Sequence, residues 1–535
     1  MTGGGPGVAM SAGDKGTTAV APHPEPLEGK PGDRTRRAGR EGLDEVLAAT
    51  NLAKGGSGWS RLDGFLAERS AGEALAIWLG VLPGQPIALT QSEVLKRLST
   101  DVARLDALLR EQVDAILHHP RYQQLEASWR GLRYLTEQAY GAELVKIRVL
   151  DVSWAEVSRD IERAIEFDQS QLFAKVYNEE FGTAGGEPFG VLLGDYTVRH
   201  RPSADHPVDD LSAVQGLSQI AAAAFAPAIL GTDPAFLGLD SFTELGLPLN
   251  LTETFHQAEY MRWRAFRETD DSRFVGLTLP RVLMRLPYED DGSRSERFRF
   301  EEQVGGPDNS RYLWGNAVYA YGAVLIRAFA ESGWLANIQG VERGSESGGL
   351  VPGLTLHSFG TDAAGVAHKY STDVLITDYQ EKELGELGFI PLCDCKGTSW
   401  SAFYGSASAQ KSKQYDRTIA TVNARLSSML QYMFCVSRFA HYLKVIGRDK
   451  VGSFASAQEC ESHLQRWLHN YTIAADDASL ESKAKSPLRE AKVRVRELPG
   501  KPGSYTCVTH LRPHFQLDQV VTAVQLITEI SPGSG

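Results

Sequence analysis

The sequence predicts a mixed α/β fold divided into several domains. Its 535 residues are enough for about two to four domains, and 42% hydrophobic and 23% charged residues are typical of a globular protein. Candidate helices and strands are mixed through the middle of the chain, and three candidate strands follow one another near its C-terminus. These patterns favour a central α/β region followed by a separate C-terminal sheet.

The N-terminal part divides into an extension and a helical region. Residues 1–40 are rich in Gly, Pro, Thr and charge, so we expect a disordered extension. Residues 41–120 are expected to be helical, beginning with the short amphipathic stretch Gly42–Lys54. Its apolar positions are Leu43, Val46, Leu47 and Leu52. A helix this short is unstable alone, so either it docks on its own protein or it is a ligand for another one.

A longer helix is predicted to begin after Thr90, because Thr90 and Glu93 have capping-box spacing. Apolar residues then recur at helical intervals until Pro120, which marks the end. They are Val94, Leu95, Leu98, Val102, Leu105, Leu109, Val113 and Ile116. The pattern predicts a surface helix with one side buried.

Residues 121–420 are expected to form the central α/β domain. The candidate strands are Leu144–Val149, Pro188–Leu193, Leu354–Phe359 and Phe389–Cys393. The candidate core helices are Leu211–Phe225 and Tyr312–Phe329, which are almost continuously apolar. Helices and strands in alternation are typical of an α/β core.

Residues 421–535 are expected to form a C-terminal domain that begins with one long helix, Thr421–Ile446. Apolar residues cover most of its circumference, which predicts a central position. Three basic residues lie near its end: Lys444, Arg448 and Lys450. They either complement the helix dipole or form a basic ridge that contacts an acidic partner.

The last segment is predicted to contain three strands. Ala491–Leu498 and Tyr505–Arg512 alternate in polarity on both sides of a Pro/Gly turn, which indicates a hairpin. The third strand, Gln519–Ile530, is apolar on both faces and so needs cover on both faces and a neighbouring strand. Its apolar residues include Val520, Val524, Leu526 and Ile530. Either it closes its own sheet, or it pairs with another subunit by β-augmentation.

Composition and motifs argue against several classes of function. The net charge of −12 argues against nucleic-acid binding, and the sequence has no apolar run long enough to span a bilayer. Five cysteines and no signal peptide favour the cytoplasm. Cys393-Asp394-Cys395 has no second cysteine pair to complete a zinc site, and phosphate-binding and nucleophile motifs are absent. We therefore expect no metal, cofactor or catalytic site.

Several long stretches resemble the large subunit of the type VI secretion contractile sheath, the TssC/VipB family. They are Phe167–Tyr196, Trp263–Tyr288, Tyr312–Gly340, Thr372–Lys396, Leu430–Phe454 and Pro487–Phe515. The resemblance extends over nearly all of residues 42–530. It implies a multi-domain contractile-sheath fold whose C-terminal strands pair with neighbouring subunits.

The resemblance also implies a structural protein with several protein partners and no enzymatic activity. These are a small sheath subunit of the TssB/VipA type, further copies of the chain in a helical polymer, the Hcp inner tube, the baseplate and a ClpV-type AAA+ unfoldase. It does not imply binding to nucleic acid or insertion into a membrane.

The same resemblance assigns roles to residues of this chain. It places unfoldase binding at Leu43, Val46, Leu47 and Leu52, and inter-subunit pairing at Val520, Val524, Leu526 and Ile530. The basic helix end, with Lys444, Arg448 and Lys450, is a candidate for contact with the inner tube. Two rival functions stay open: a self-assembling shell or scaffold that does not contract, and an enzyme with a dispersed site.

Overall fold

The fold is known from a computed structural model. It describes residues 64–81, 88–290, 292, 298–305, 309–341, 347–359, 369–395, 398–450, 456–475, 478–497, 505–514 and 524–530. Contacts within the chain separate two units, Met1–Ala103 and Arg104–Gly535. Each is considered by itself.

The first unit contains the helix α1 (Ala71–Leu79) and the beginning of α2 (Gln91–Leu117). Trp78 of α1 donates its indole N–H to Asp101 at 3.1 Å. The capping box at Thr90 is confirmed, because the Thr90 hydroxyl accepts the Glu93 N–H at 3.3 Å and the Glu93 carboxylate accepts the Thr90 N–H at 2.8 Å.

The second unit mixes helices and strands, as predicted. Its further helices are α3 (Pro120–Gln138), α4 (Trp154–Arg163), α5 (Gln171–Phe173), α6 (Asp210–Ala224), α7 (Leu251–His256), α8 (Met261–Arg267), α9 (Val318–Ser332), α10 (Asp378–Glu386), α11 (Thr418–Ser427), α12 (Leu430–Lys450), α13 (Ala457–His469) and α14 (Leu480–Lys485). A π-helix, Ala174–Phe181, continues directly from α5.

The strands are short in the centre of the chain and longer at its end. They are β1 (Leu192–Val198), β2 (Ala228–Thr232), β3 (Val275–Leu279), β4 (Val282–Leu283), β5 (Trp314–Gly315), β6 (Leu350–Val351), β7 (Ile390–Pro391), β8 (Cys393–Asp394), β9 (Ser401–Ala402), β10 (Leu488–Glu497), β11 (Tyr505–Pro513) and β12 (Val524–Ile530). They form four sheets, in the orders β1-β2-β3-β7, β4-β5, β6-β9-β8 and β10-β11-β12.

The central sheet is parallel and covered on both faces. Adjacent strands in the order β1-β2-β3-β7 all run in the same direction. Leu230 of β2 belongs to one apolar cluster together with Leu217 of α6, and the neighbouring Ile229 belongs to a second cluster with Val324 of α9. Because successive side chains of a strand point to opposite faces, the two clusters lie on the two faces of the sheet. The predicted mixed α/β class is confirmed.

Two predicted elements, one in the central domain and one in the C-terminal domain, are wrong. No strand forms at Leu354–Phe359; only His357 makes a single bridge, to Tyr370. The predicted long helix Thr421–Ile446 is two helices, α11 and α12. Between them Met429 bridges to Ala407, and the Leu430 N–H is bonded to the Ser406 carbonyl at 2.9 Å. A contact distant in sequence therefore interrupts the helix.

The helix α3 was not predicted from the sequence. Pro120 ends α2, as expected, and it also begins α3, since proline is well suited to the first turn of a helix.

In the described part of the chain no helix combines the length and the apolar character that crossing a membrane requires.

Candidate assembly surfaces

The predicted C-terminal hairpin is confirmed. β10 pairs antiparallel with β11, with Val493 opposite Thr509 and Val495 opposite Cys507. The apolar face of this hairpin is buried against α12 and α13, where Phe439 is among its neighbours. The alternation of polar and apolar residues therefore predicted the correct buried face.

The third strand lies at an edge of this sheet. β12 pairs antiparallel with β11, so that Val524 lies opposite Leu511 and Ile530 lies opposite Tyr505. One edge of β12 is thus paired within its own chain. Its other edge has no neighbouring strand among the residues that the structure describes. That edge is where β-augmentation would add a strand.

The opposite edge of the sheet is closed by side chains of α13. Glu461 accepts the Val495 N–H at 2.9 Å. Gln465 accepts the Val493 N–H at 2.9 Å and donates to the Ala491 carbonyl at 2.9 Å. These bonds use the backbone groups of β10 that another strand would need. The described part of the sheet therefore offers one edge for pairing, along β12.

The predicted inter-subunit residues lie on this strand or close to it in sequence. Val524, Leu526 and Ile530 belong to β12, for which the structure gives the backbone. Val520 lies outside the described residues. Their pairing with a neighbouring subunit stays a prediction. The unfoldase-binding residues Leu43, Val46, Leu47 and Leu52 also lie outside the described residues.

The basic end of α12 contacts its own chain. The Lys444 ammonium donates to the Tyr177 hydroxyl at 2.9 Å and lies 3.9 Å from the centroid of the Phe181 ring. Arg448 donates to the Thr183 carbonyl. Both cations are half-buried and attach α12 to the π-helix and the turn after it. The side chain of Lys450 lies outside the described part, and contact of these three residues with an inner tube stays a prediction.

His441 of α12 is a buried, neutral histidine. Its Nε2 donates to the Ala224 carbonyl at 2.9 Å, and its ring lies 5.2 Å from that of Phe181. Burial lowers the pKa of His441 to about 3, because the charged form would lose its hydration. The neutral imidazole holds α12 against the end of α6.

The two cysteines of the Cys393-Asp394-Cys395 motif are buried. Burial raises the pKa of Cys393, which keeps the thiol protonated. Cys395 accepts a long hydrogen bond of 3.5 Å from the Tyr404 hydroxyl. Among the described residues, no cluster of three or more His, Cys, Asp or Glu side chains is arranged to hold a metal ion.

The prediction that α2 buries one apolar side is wrong for most of the positions it named, since Leu95 and Val102 in the first half of the helix are exposed. Leu105, Leu109 and Ile116 are all exposed. The next helix continues the pattern, with Leu125 and Trp129 of α3 exposed, the latter to 65%. Large apolar side chains in solvent over two consecutive helices are typical of a surface that another protein covers.

The predicted strand Leu144–Val149 is also wrong, because no strand of the described chain lies beside it. Residues 145–153 contain no helix, turn or bend. Leu144 is 80% exposed and Val149 is 67% exposed. The sequence therefore has the composition of a strand at a place where the described part of the chain supplies no neighbouring strand. We call residues 144–151 the unpaired segment.

Comparison with known proteins gives two consecutive matches along the chain. Residues 99–410 match the family described as EvpB/VC_A0108, tail sheath N-terminal domain. Residues 419–530 match the EvpB/VC_A0108 tail sheath gpW/gp25-like domain. A relative from Pseudomonas aeruginosa, "Type VI secretion system sheath protein TssC1", is 42% identical over 446 residues, which cover 83% of this chain and 88% of the relative.

Proposed function

Because the chain belongs to the EvpB/VipB family of type VI secretion sheath proteins, and is a sheath large subunit of that family, we propose that it polymerises with a small sheath subunit around an Hcp inner tube and contracts to propel that tube. The observation that carries the proposal is the match to both tail sheath domains, in order, over residues 99–410 and 419–530.

The C-terminal sheet supports assembly through shared strands. α13 closes the β10 edge, whereas β12 presents an edge with no neighbouring strand in the described chain. A strand of a neighbouring subunit added there would form a continuous ladder of backbone hydrogen bonds. Such a ladder keeps subunits attached while the connecting segments change direction, which contraction requires.

We propose that contraction is driven by the burial of subunit surface, since the sequence has no phosphate-binding loop. The contracted sheath would be dismantled by a ClpV-type unfoldase that binds Leu43, Val46, Leu47 and Leu52. The polymer would stand on a baseplate in the cytoplasm.

Substitution in β12 tests the shared-strand model. We expect Val524→Asp to abolish tube formation while the pair with the small subunit stays soluble, because a charge would enter an apolar strand of the inter-subunit sheet. Gln525→Asp is the matched control, since position 525 of the same strand is already polar. The measurement is electron microscopy of the co-expressed pair.

The outcomes separate the rival functions. Tubes from the wild type and from Gln525→Asp, but not from Val524→Asp, support the sheath with shared strands. Intact tubes from Val524→Asp contradict strand sharing. Closed shells from the wild type indicate a non-contractile scaffold, and discrete particles without any polymer reopen the question of an enzyme.

A further inference from the structure

We propose that Glu461 and Gln465 of α13 prevent β12 of a second copy of this chain from adding to β10, so that the C-terminal sheet grows at one edge only. We call these two residues the edge-closing pair. The inference goes beyond the proposed function, since it concerns contacts between copies of this chain and is tested without any other protein.

The amide of Gln465 takes the place of a strand residue. It accepts the Val493 N–H and donates to the Ala491 carbonyl, both at 2.9 Å. In a parallel sheet, one residue bonds through its carbonyl and its N–H to two residues of the next strand that are two positions apart. The side chain makes the same two bonds. Because it belongs to a helix, it presents no further row of backbone groups to which another strand could pair.

The spacing of the edge-closing pair matches the spacing of β10. Glu461 and Gln465 are one turn apart on α13, which is about 6 Å along the helix. Val493 and Val495 are two residues apart on the strand, which is about 6.6 Å. Glu461 therefore reaches the Val495 N–H, which it accepts at 2.9 Å, while Gln465 reaches the Val493 N–H.

The beginning of β10 is closed by the backbone. Thr472 forms a parallel bridge with Leu488. The Ile473 N–H donates to the Leu488 carbonyl at 2.8 Å, and the Leu488 N–H donates to the Tyr471 carbonyl at 3.2 Å. The edge-closing pair continues this closure along the strand, where no described strand lies beside β10 on that edge.

Charge indicates which strand an open β10 edge would accept. Lys492, Arg494 and Arg496 are exposed along β10. Antiparallel pairing with β10 of a second copy, in every register centred on residues 492–496, places two of these cations opposite each other, which is unfavourable. β12 has no Lys or Arg, and its one charged residue is Glu529. The occupant of an open β10 edge is therefore β12 of a second copy.

Contact between β10 and β12 of successive copies would not close on itself. Each copy would present one edge of each kind, and such a head-to-tail contact extends into an open fibre unless its rotation closes a ring. The edge-closing pair excludes this growth. It follows that the strand that a neighbouring subunit adds at β12 in the proposed polymer is not β10.

Removal of the edge-closing pair tests the proposal in the isolated, full-length chain. Sedimentation at a series of concentrations gives the mean mass of each variant. We expect Glu461→Ala/Gln465→Ala to exceed the mean mass of the wild type about twofold or more at the same concentration, because the opened edge pairs with β12. Gln458→Ala/Ser462→Ala, at exposed positions of the same helix, is the matched control and should sediment as the wild type does. A double variant with the wild-type mass overturns the inference.

A proline separates edge pairing from a loss of stability. The Ala491 carbonyl points to α13, and in an antiparallel strand the N–H of a residue points to the same edge as its carbonyl. Ala491→Pro therefore removes an outward N–H and keeps the ladder with β11. Added to the double variant, it should restore the wild-type mass. Association that persists in this triple variant comes from another cause and contradicts the proposal.

Hydrogen exchange locates the contact. In the double variant the amides of Val493 and Val495 should exchange faster than in the wild type at low concentration, and slow again as the concentration rises and β12 covers them. A rising mass without this protection assigns the association to another surface and overturns the inference. If the double variant does not fold, Gln465→Ala alone is measured, since it frees two of the three backbone groups. A folded Gln465→Ala with the wild-type mass also overturns the inference.

Discussion

At the scale of single residues, polar side chains of α12 mainly hold elements of the second unit together. His441, Lys444 and Arg448 all lie on α12, and their contacts lead to α6, to the π-helix and to the turn after it. An ordinary histidine or lysine in a helix gives no sequence signal of such a contact. Their function as side chains is to fix the position of α12 under the C-terminal sheet.

Acidification should destabilise the folded chain, because His441 is buried in its neutral form. Its pKa is about 3 in the folded chain and near 6.5 when unfolded, so below pH 6.5 the unfolded chain takes up a proton that the folded chain does not. The free energy of unfolding should therefore fall by about 1.4 kcal/mol per pH unit from this residue between pH 6 and pH 4. His441→Gln should remove that contribution to the slope.

Urea unfolding of the isolated chain at several pH values measures this slope. The exposed His256 serves as the control, because His256→Gln leaves the buried site unchanged. Equal slopes for the wild type and His441→Gln would contradict a neutral, buried imidazole. The quantity compared is the change in the free energy of unfolding with pH. The absolute free energy is not compared, because the substitution itself changes it.

At the scale of elements, local signals predicted the ends of helices well. The Ser153 hydroxyl accepts the Glu156 N–H at 3.4 Å, and the Glu156 carboxylate accepts the Ser153 N–H at 2.9 Å, which is the arrangement of a capping box. This capping box begins α4 directly after the unpaired segment. It therefore fixes where the segment ends.

Removing the cap should weaken α4. We expect Ser153→Ala to lower the free energy of unfolding by about 1 kcal/mol, because the first turn loses a hydrogen-bond acceptor. Ser99→Ala is the control, since Ser99 is exposed within α2. The two variants are compared by urea unfolding, and an equal loss in both would argue against the cap.

At the scale of the whole molecule, apolar residues left in solvent indicate where other chains bind. They are concentrated in α2, α3 and the unpaired segment, between residues 105 and 150. The sequence pattern predicted burial only for the apolar side of α2, and in the structure Leu105, Leu109 and Ile116 of that side are exposed. A subunit of a polymer is expected to have such surfaces.

Disassembly of the polymer provides a separate prediction for the N-terminal region. We expect Leu47→Asp to reduce unfoldase affinity about thirtyfold or more, since a charge replaces an apolar side chain that fills a groove. Assembly into tubes should be unaffected. The measurement is co-purification with the unfoldase. Thr50→Asp, within the same stretch, is the control. Normal co-purification of Leu47→Asp would contradict this role.

Much of the fold could be predicted, and the misses have a common cause. The hairpin β10–β11, the helices α2 and α6 and the capping box at Thr90 were predicted because period and capping are local properties. The break between α11 and α12 was missed, because a bridge from Met429 to Ala407 produces it. The interpretation of residues 144–149 as a strand of this chain failed for the same reason, since a strand requires a neighbour that the local sequence does not specify.

The sequence by itself determined the mixed α/β class, the buried face of the C-terminal hairpin and the capped starts of helices. These depend on residues a few positions apart. Only the tertiary structure decided which sheet edges are closed: side chains of α13 bond to the edge of β10, whereas no described strand pairs with the outer edge of β12. It also showed which apolar residues the chain leaves exposed. Both depend on which distant segments come together, because pairing and burial are properties of neighbours in space.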